Sequence, residues 1–241
     1  MLEIRLKTVL KKALKTNDSD IKEQLLTLKD ITYDLKDLDP LFNQWYINNV
    51  DVDNSMNEEE LEEISAPLEY KFPSNKAEIY LFQERKTAPT DVSLLWNGGN
   101  KETFASIALG IMGFNLAIQK KIGVDIFVKV FEIILKKFSL DYIYLTTEFI
   151  HNTLIFKHRH TVSPICYVPQ IISENSIPHL YKKIDVLNDL NQGSILIFDE
   201  NIFEESDRMK KIIEENAIAL VALDAIPETE LDSDFFSEVD L

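Results

Sequence analysis

Two histidines flank an arginine in "KHRH", residues 157–160, and that spacing is the first place to look for chemistry. On a strand, His158 and His160 would share a face, which could begin a two-ligand zinc site. No third ligand stands nearby at a recognised spacing. His151 and His179 fall on other expected elements, and Lys157 and Arg159 would repel a cation. The pattern therefore reads as structural or solvated histidines. A metal-dependent enzyme built on His158 and His160 is kept as the last alternative.

Other chemical candidates fare no better. Cys166, the one cysteine, lies in "SPICYVP", an apolar setting in which a thiol is usually inert. Glycines beside an apolar run, in "DVSLLWNGGNKETFASIALGIMGFN" (91–115), raise the question of a phosphate loop. Neither Gly98-Gly99 nor Gly110-x-x-Gly113 has the Walker or dinucleotide spacing, and no helix signal follows directly. Asn97-Gly98 fits a tight turn instead. Gly110 and Gly113 read as a bulge or a close approach of backbones. Acidic clusters at Glu58, Glu59, Glu60, Glu62 and Glu63, and at Asp199, Glu200, Glu204 and Glu205, sit where helices start. Carboxylates are favourable there through the helix dipole. No serine elbow is present. The sequence offers no catalytic constellation, no cofactor motif and no metal site, so the reading is of a protein that is not an enzyme.

The 241 residues are 45% apolar and 27% charged, enough for a sizeable core. Acidic residues number 41 against 25 basic, for a formal charge of -16. Such a balance argues against nucleic acid as partner, since phosphates must be neutralised by Lys and Arg. It favours a basic protein partner, whose encounter the field would accelerate. The chain holds no run of about 20 apolar residues for a bilayer span, no secretory apolar stretch near Met1, and no cysteine pair. A cytoplasmic protein with no membrane partner is expected.

Leu2, Ile4 and Leu6 alternate with charges, as in a strand. A helix is predicted to end at Pro40, with Ile21, Leu25, Leu28, Ile31 and Leu35 on one face. A short helix capped by Asn57 is expected in the acidic stretch. Strands follow at "KAEIYLFQE", "DVSLLWN" and "TFASIALGIMGF", in the order of an antiparallel meander, with "NLAIQKK" as a further candidate. Asp125 is expected to cap a helix through "DIFVKVFEIILKKFS", and strands are expected at "LDYIYLTTEF" and "NTLIFKHRH". "PHLYKKIDVLNDLNQG" reads as a short helix or turn closing at Gly193, and "SILIFDEN" as a buried strand. "FEESDRMKKIIEENA" reads as a helix, with "IALVAL" as a last strand or the helix end. The prediction is a single α+β domain, 1–222, with an antiparallel or mixed sheet packed by about three main helices. Residues 223–241 are expected as a flexible acidic tail.

The order of several segments resembles the immunity protein 52 family. The residues that carry it are Asp39 and Pro40 with Trp45 and Tyr46; Trp96, Asn97 and Gly98; Gly113 and Asn115; Tyr167; and Gly193 onward through Phe203. The sequence departs from the family pattern at its N-terminus, at Ile165-Cys166 where a Gly-Trp pair is usual, and in the acidic tail. The resemblance implies an immunity protein of a polymorphic-toxin system, often tied to type VI secretion. Such a protein binds a cognate nuclease toxin and occludes or distorts its active site. The charge of -16 fits a basic toxin partner. Candidate toxin contacts are the 58–63 acidic cluster, Asp199, Glu200, Glu204 and Glu205 around Phe203, and Phe235 with Phe236 in the tail. The alternative is a non-catalytic adaptor or chaperone for a secreted effector.

Overall fold

The structure, a computed structural model, describes residues 2–11, 18–43, 45–47, 50–51, 78–82, 91–97, 106–114 and 122–229. The chain divides into two compact units, Met1–Val9 with Phe114–Glu230, and Leu10–Gly113 with Leu231–Leu241. Class and pairing are as expected: α+β, with antiparallel strands and a few main helices.

In the second unit, helix α1 spans Asp18–Lys36 and buries Leu28, Ile31 and Leu35 at the expected three-to-four spacing. A 3₁₀ turn at Pro40–Phe42 follows. Strands β2 (Tyr46–Ile47), β3 (Val50–Asp51), β4 (Glu78–Phe82), β5 (Asp91–Asn97) and β6 (Ser106–Phe114) complete the described part. The strand order is β3-β2-β4-β5-β6. The meander is present: β4 pairs antiparallel with β5, and β5 with β6, in a register that sets Trp96 opposite Ile79 and Ile107. Alternation along β6 puts Ile107, Leu109 and Ile111 in the core.

The first unit begins with β1 (Leu2–Leu10), longer than the expected strand. Helix α2 (Val124–Lys137) carries Phe127, Val130, Phe131 and Ile134 inward, with Lys136 and Lys137 in its last turn. Its N-cap is Gly123, and the expected cap Asp125 lies inside the first turn. Strand β7 (Leu140–Thr146) leads into the single turn α3 (Glu148–His151), then β8 (Ile165–Val168), β9 (Lys182–Leu187), β10 (Gln192–Ile197) and helix α4 (Asp207–Ala222). The strand order is β1-β7-β8-β10-β9, and the β7–β8, β8–β10 and β10–β9 pairs are antiparallel.

Three expectations change here, and one alternative is decided. "NTLIFKHRH" forms turns rather than a strand. Thr147 caps α3 by accepting the Ile150 amide, and that starts a coil the chain then completes with Thr153 bonded to Ile150 O. The segment before Gly193 is not a helix: Lys182–Leu187 is β9, paired with β10 along all six residues. The Asn188 carboxamide accepts the amides of Leu190 and Asn191 and folds the hairpin turn. "IALVAL" continues α4 as its end. At the expected tail, Ala225 and Ile226 are buried, because apolar side chains within an acidic stretch still gain from leaving water. Residues 230–241 lie outside the described set.

Candidate functional site

The "KHRH" segment does structural work, and its two imidazoles serve different neighbours. His158 meets Phe156 edge-on, ring centroids 6.2 Å apart, whereas His160 packs on Tyr142 and Tyr144 at 6.3 and 5.9 Å. Among the described residues no group of three or more His, Cys, Asp or Glu could hold a metal. Arg159, with only 16% of its side chain exposed, clasps the chain beyond α4. It donates to Asp224 Oδ1 at 2.9 Å and Ile226 O at 2.6 Å, and pairs with Glu228 at 3.1 Å. The His160 amide donates to Pro227 O, and the Thr229 amide to His158 O.

Beneath His160 lies a closed polar cluster. The Tyr142 hydroxyl donates to Thr161 O, and burial pushes its pKa well above the ordinary value, with Cys166 and Tyr144 adding to the effect. Burial pushes the Cys166 thiol up to about 12, so the thiolate needed for nucleophilic work is suppressed. Burial, then the Lys7 charge, pushes His160 down to about 4.

Of the sequence-derived contact residues, Asp199, Glu200, Phe203, Glu204 and Glu205 come together ahead of α4. Arg208 ties down two of them: it donates to Asp199 at 2.8 Å and forms an ion pair with Glu204. Bonds from Arg208 and Ser206 hold the Glu204 carboxyl below its usual range. Ser206 also caps α4 at the Met209 amide. Phe203 rests edge-on against Phe127 at 5.3 Å, so its ring is partly spent on packing. Glu200 and Glu205 are exposed. Glu58, Glu59, Glu60, Glu62, Glu63, Phe235 and Phe236 lie outside the described residues.

The family-motif residues have legible roles where they are described. The Asp39 carboxylate accepts the Leu41 amide at 2.8 Å and caps the 3₁₀ turn begun by Pro40. Trp45 is fully buried and donates from Nε1 to Phe42 O at 2.8 Å. Tyr46 opens β2, opposite Asp51 and Phe82. Trp96 and Asn97 end β5, and Gly113 lies near the end of β6. Tyr167 is buried at the centre of β8. Gly193 leaves no room for a side chain: a Cβ there would meet Val168 O at 2.1 Å and the Tyr167 ring at 2.7 Å. Gly98 and Asn115 lie outside the described residues.

The residues that sequence reasoning missed are on β1. An open groove of about 790 Å³ lies within the first unit, where β1 passes the end of β7. Lys7 and Arg5 line it from β1, together with Thr146 and His151. Lys7 is half-buried, and among the described residues no carboxylate pairs with its ammonium. Burial, followed by the neighbouring Arg5, lowers its pKa. Arg5 is already paired with Glu3 at 2.6 Å. Two further carboxylates of the lining, Glu148 and Glu205, are exposed. A small crevice containing Ile202 and Phe203 shares Thr147, Phe149 and Glu205 with the groove. The available signal was the alternation in "LEIRLK": Ile4 and Leu6 are buried, so Glu3, Arg5 and Lys7 occupy the opposite face.

Fold and groove together define an α+β protein with an open groove of mixed charge. In comparisons with known proteins, no family model matches the chain and no curated sequence matches it. Among the described residues no helix is long and apolar enough to cross a membrane.

Proposed function

We propose that this chain is an immunity protein that binds a cognate bacterial toxin and neutralises it by direct contact in the producer's cytoplasm. A basic nuclease delivered by type VI secretion is the toxin class the sequence resemblance names. The observation that carries the reading is the role of the residues behind that resemblance. Asp39 caps a turn, Trp45 fills a core, and Gly193 permits two strands to touch. These are scaffold roles, as befits a family defined by a binding fold and not by a reaction centre. The charge of -16 supports the same reading, because a basic toxin would be drawn to it and held in register by complementary fields.

The test is to express the toxin encoded beside this chain, alone and together with it. Restored growth, a co-purifying complex and loss of toxin activity in vitro are expected. A complex that leaves the toxin active would favour the adaptor reading. The absence of both rescue and binding would refute the proposal.

A further inference from the structure

We propose that the groove beside β1 is the docking site for a basic partner protein, and that one carboxylate of that partner seats against Lys7. The inference rests on the toxin-neutralising reading and deepens it by naming the surface. Its basis is a two-tier arrangement of charge. The exposed tier is acidic, with Glu148 and Glu205 beside the groove, on a chain of net charge -16. The inner tier is the half-buried Lys7; its neighbour Arg5 is exposed and already committed to Glu3, which also lines the groove.

An ammonium in a concave wall that no carboxylate among the described residues pairs is an incomplete interaction. It has lost part of its water, and it feels the like charge of Arg5. An arriving carboxylate supplies the missing counter-charge, while Thr146 and His151 offer further polar contact. A small anion would have to pass Glu148 and Glu205, which repel it. A protein that is basic overall is attracted by those same groups and can carry one acidic side chain past them.

The two tiers separate in kinetics. Rim charges act mainly on encounter, and a desolvated charge pair acts on dissociation. Binding of the purified toxin is measured for the wild type and for Lys7→Gln, Asn152→Trp and the double variant Glu148→Gln/Glu205→Gln, with urea unfolding of each as a fold control. Lys7→Gln is expected to raise the off-rate about tenfold or more. The double variant is expected to lower the on-rate about threefold at low salt, an effect that disappears at high salt. Asn152→Trp fills the groove from an exposed position and is expected to weaken binding about tenfold or more, on the scale of an interface hot spot. It decides the matter if Lys7→Gln fails to fold. Wild-type binding with folded Lys7→Gln or Asn152→Trp equally tight overturns the groove while leaving the proposed function standing. No binding by the wild type overturns both.

Discussion

Replacing Gly193 by alanine tests the packing at the centre of the first unit. The added Cβ would lie 2.1 Å from Val168 O, where ordinary contact begins at 3.4 Å. Val168 O belongs to the backbone of β8, which pairs with β10 from Ser194↔Val168 to Ile197↔Ile165, so it cannot swing aside as a side chain does. The strands would have to part by about 1.3 Å at this point. A ladder bond of about 2.9 Å stretched by that amount is broken. Two lost ladder bonds at about 1 kcal/mol each, added to overpacking of about 1–3 kcal/mol, give a loss of about 3 kcal/mol or more. Tyr167 cannot relieve the clash freely, because it is fully buried and its ring also stands 2.7 Å from the new atom. Urea unfolding followed by circular dichroism measures the loss. Gly110→Ala is the internal control: its Cβ meets the Ser93 hydroxyl at 2.8 Å, a group that can rotate, and should cost less than about 1 kcal/mol. If Gly193→Ala costs no more than Gly110→Ala, the β8–β10 contact is not what requires the glycine.

Acid should destabilise the protein in part through His160. Its folded-state pKa of about 4 lies below the ordinary 6.5, so between those values the unfolded chain takes the proton more readily. Stability from this residue is therefore full above pH 6.5 and lost as pH falls toward 4. At pH 5 the loss is about 2 kcal/mol, and His160→Gln should flatten that part of the stability–pH curve; an unchanged slope would refute the assignment. Asn191→Ala should cost about 2–4 kcal/mol in denaturant unfolding. It removes bonds from Nδ2 to Leu135 O at 2.6 Å and Phe138 O at 2.7 Å, and the bond that Oδ1 accepts from the Leu140 amide at 2.9 Å. A cost near zero would mean that water replaces this buried side chain without penalty.

Legibility in the sequence followed the period of the apolar residues. Phe127, Val130, Phe131 and Ile134 announced α2, and the alternation in "SIALGIMGF" announced β6, because burial of one face is what makes each element stable. The β9 hairpin was missed because Lys182, Lys183 and Asp185 break the apolar pattern of an edge strand; Lys183 satisfies itself locally with Asp185 and Ile172 O. The groove was missed for a related reason. Lys7 and Thr146 are far apart in sequence, and only pairing of strands brings charges from separate segments to one concavity. The acidic turn was found by composition, but composition could not tell Glu205, which is free to solvent, from Glu204, which Arg208 holds.

The Arg159 clasp sets where the polypeptide can be cut. Asp224, Ile226 and Glu228 are fastened to one guanidinium, and Pro227 and Thr229 to the backbone on either side of it. The compositional boundary of the acidic tail, at residue 223, thus runs through a fastening and does not mark its edge. A deletion made there would strip the counter-charges from a largely buried arginine and unfold what it was meant to leave intact. A deletion beginning at residue 230 keeps the fastening whole. That choice of boundary separates the contribution of Phe235 and Phe236 from the integrity of the unit that precedes them.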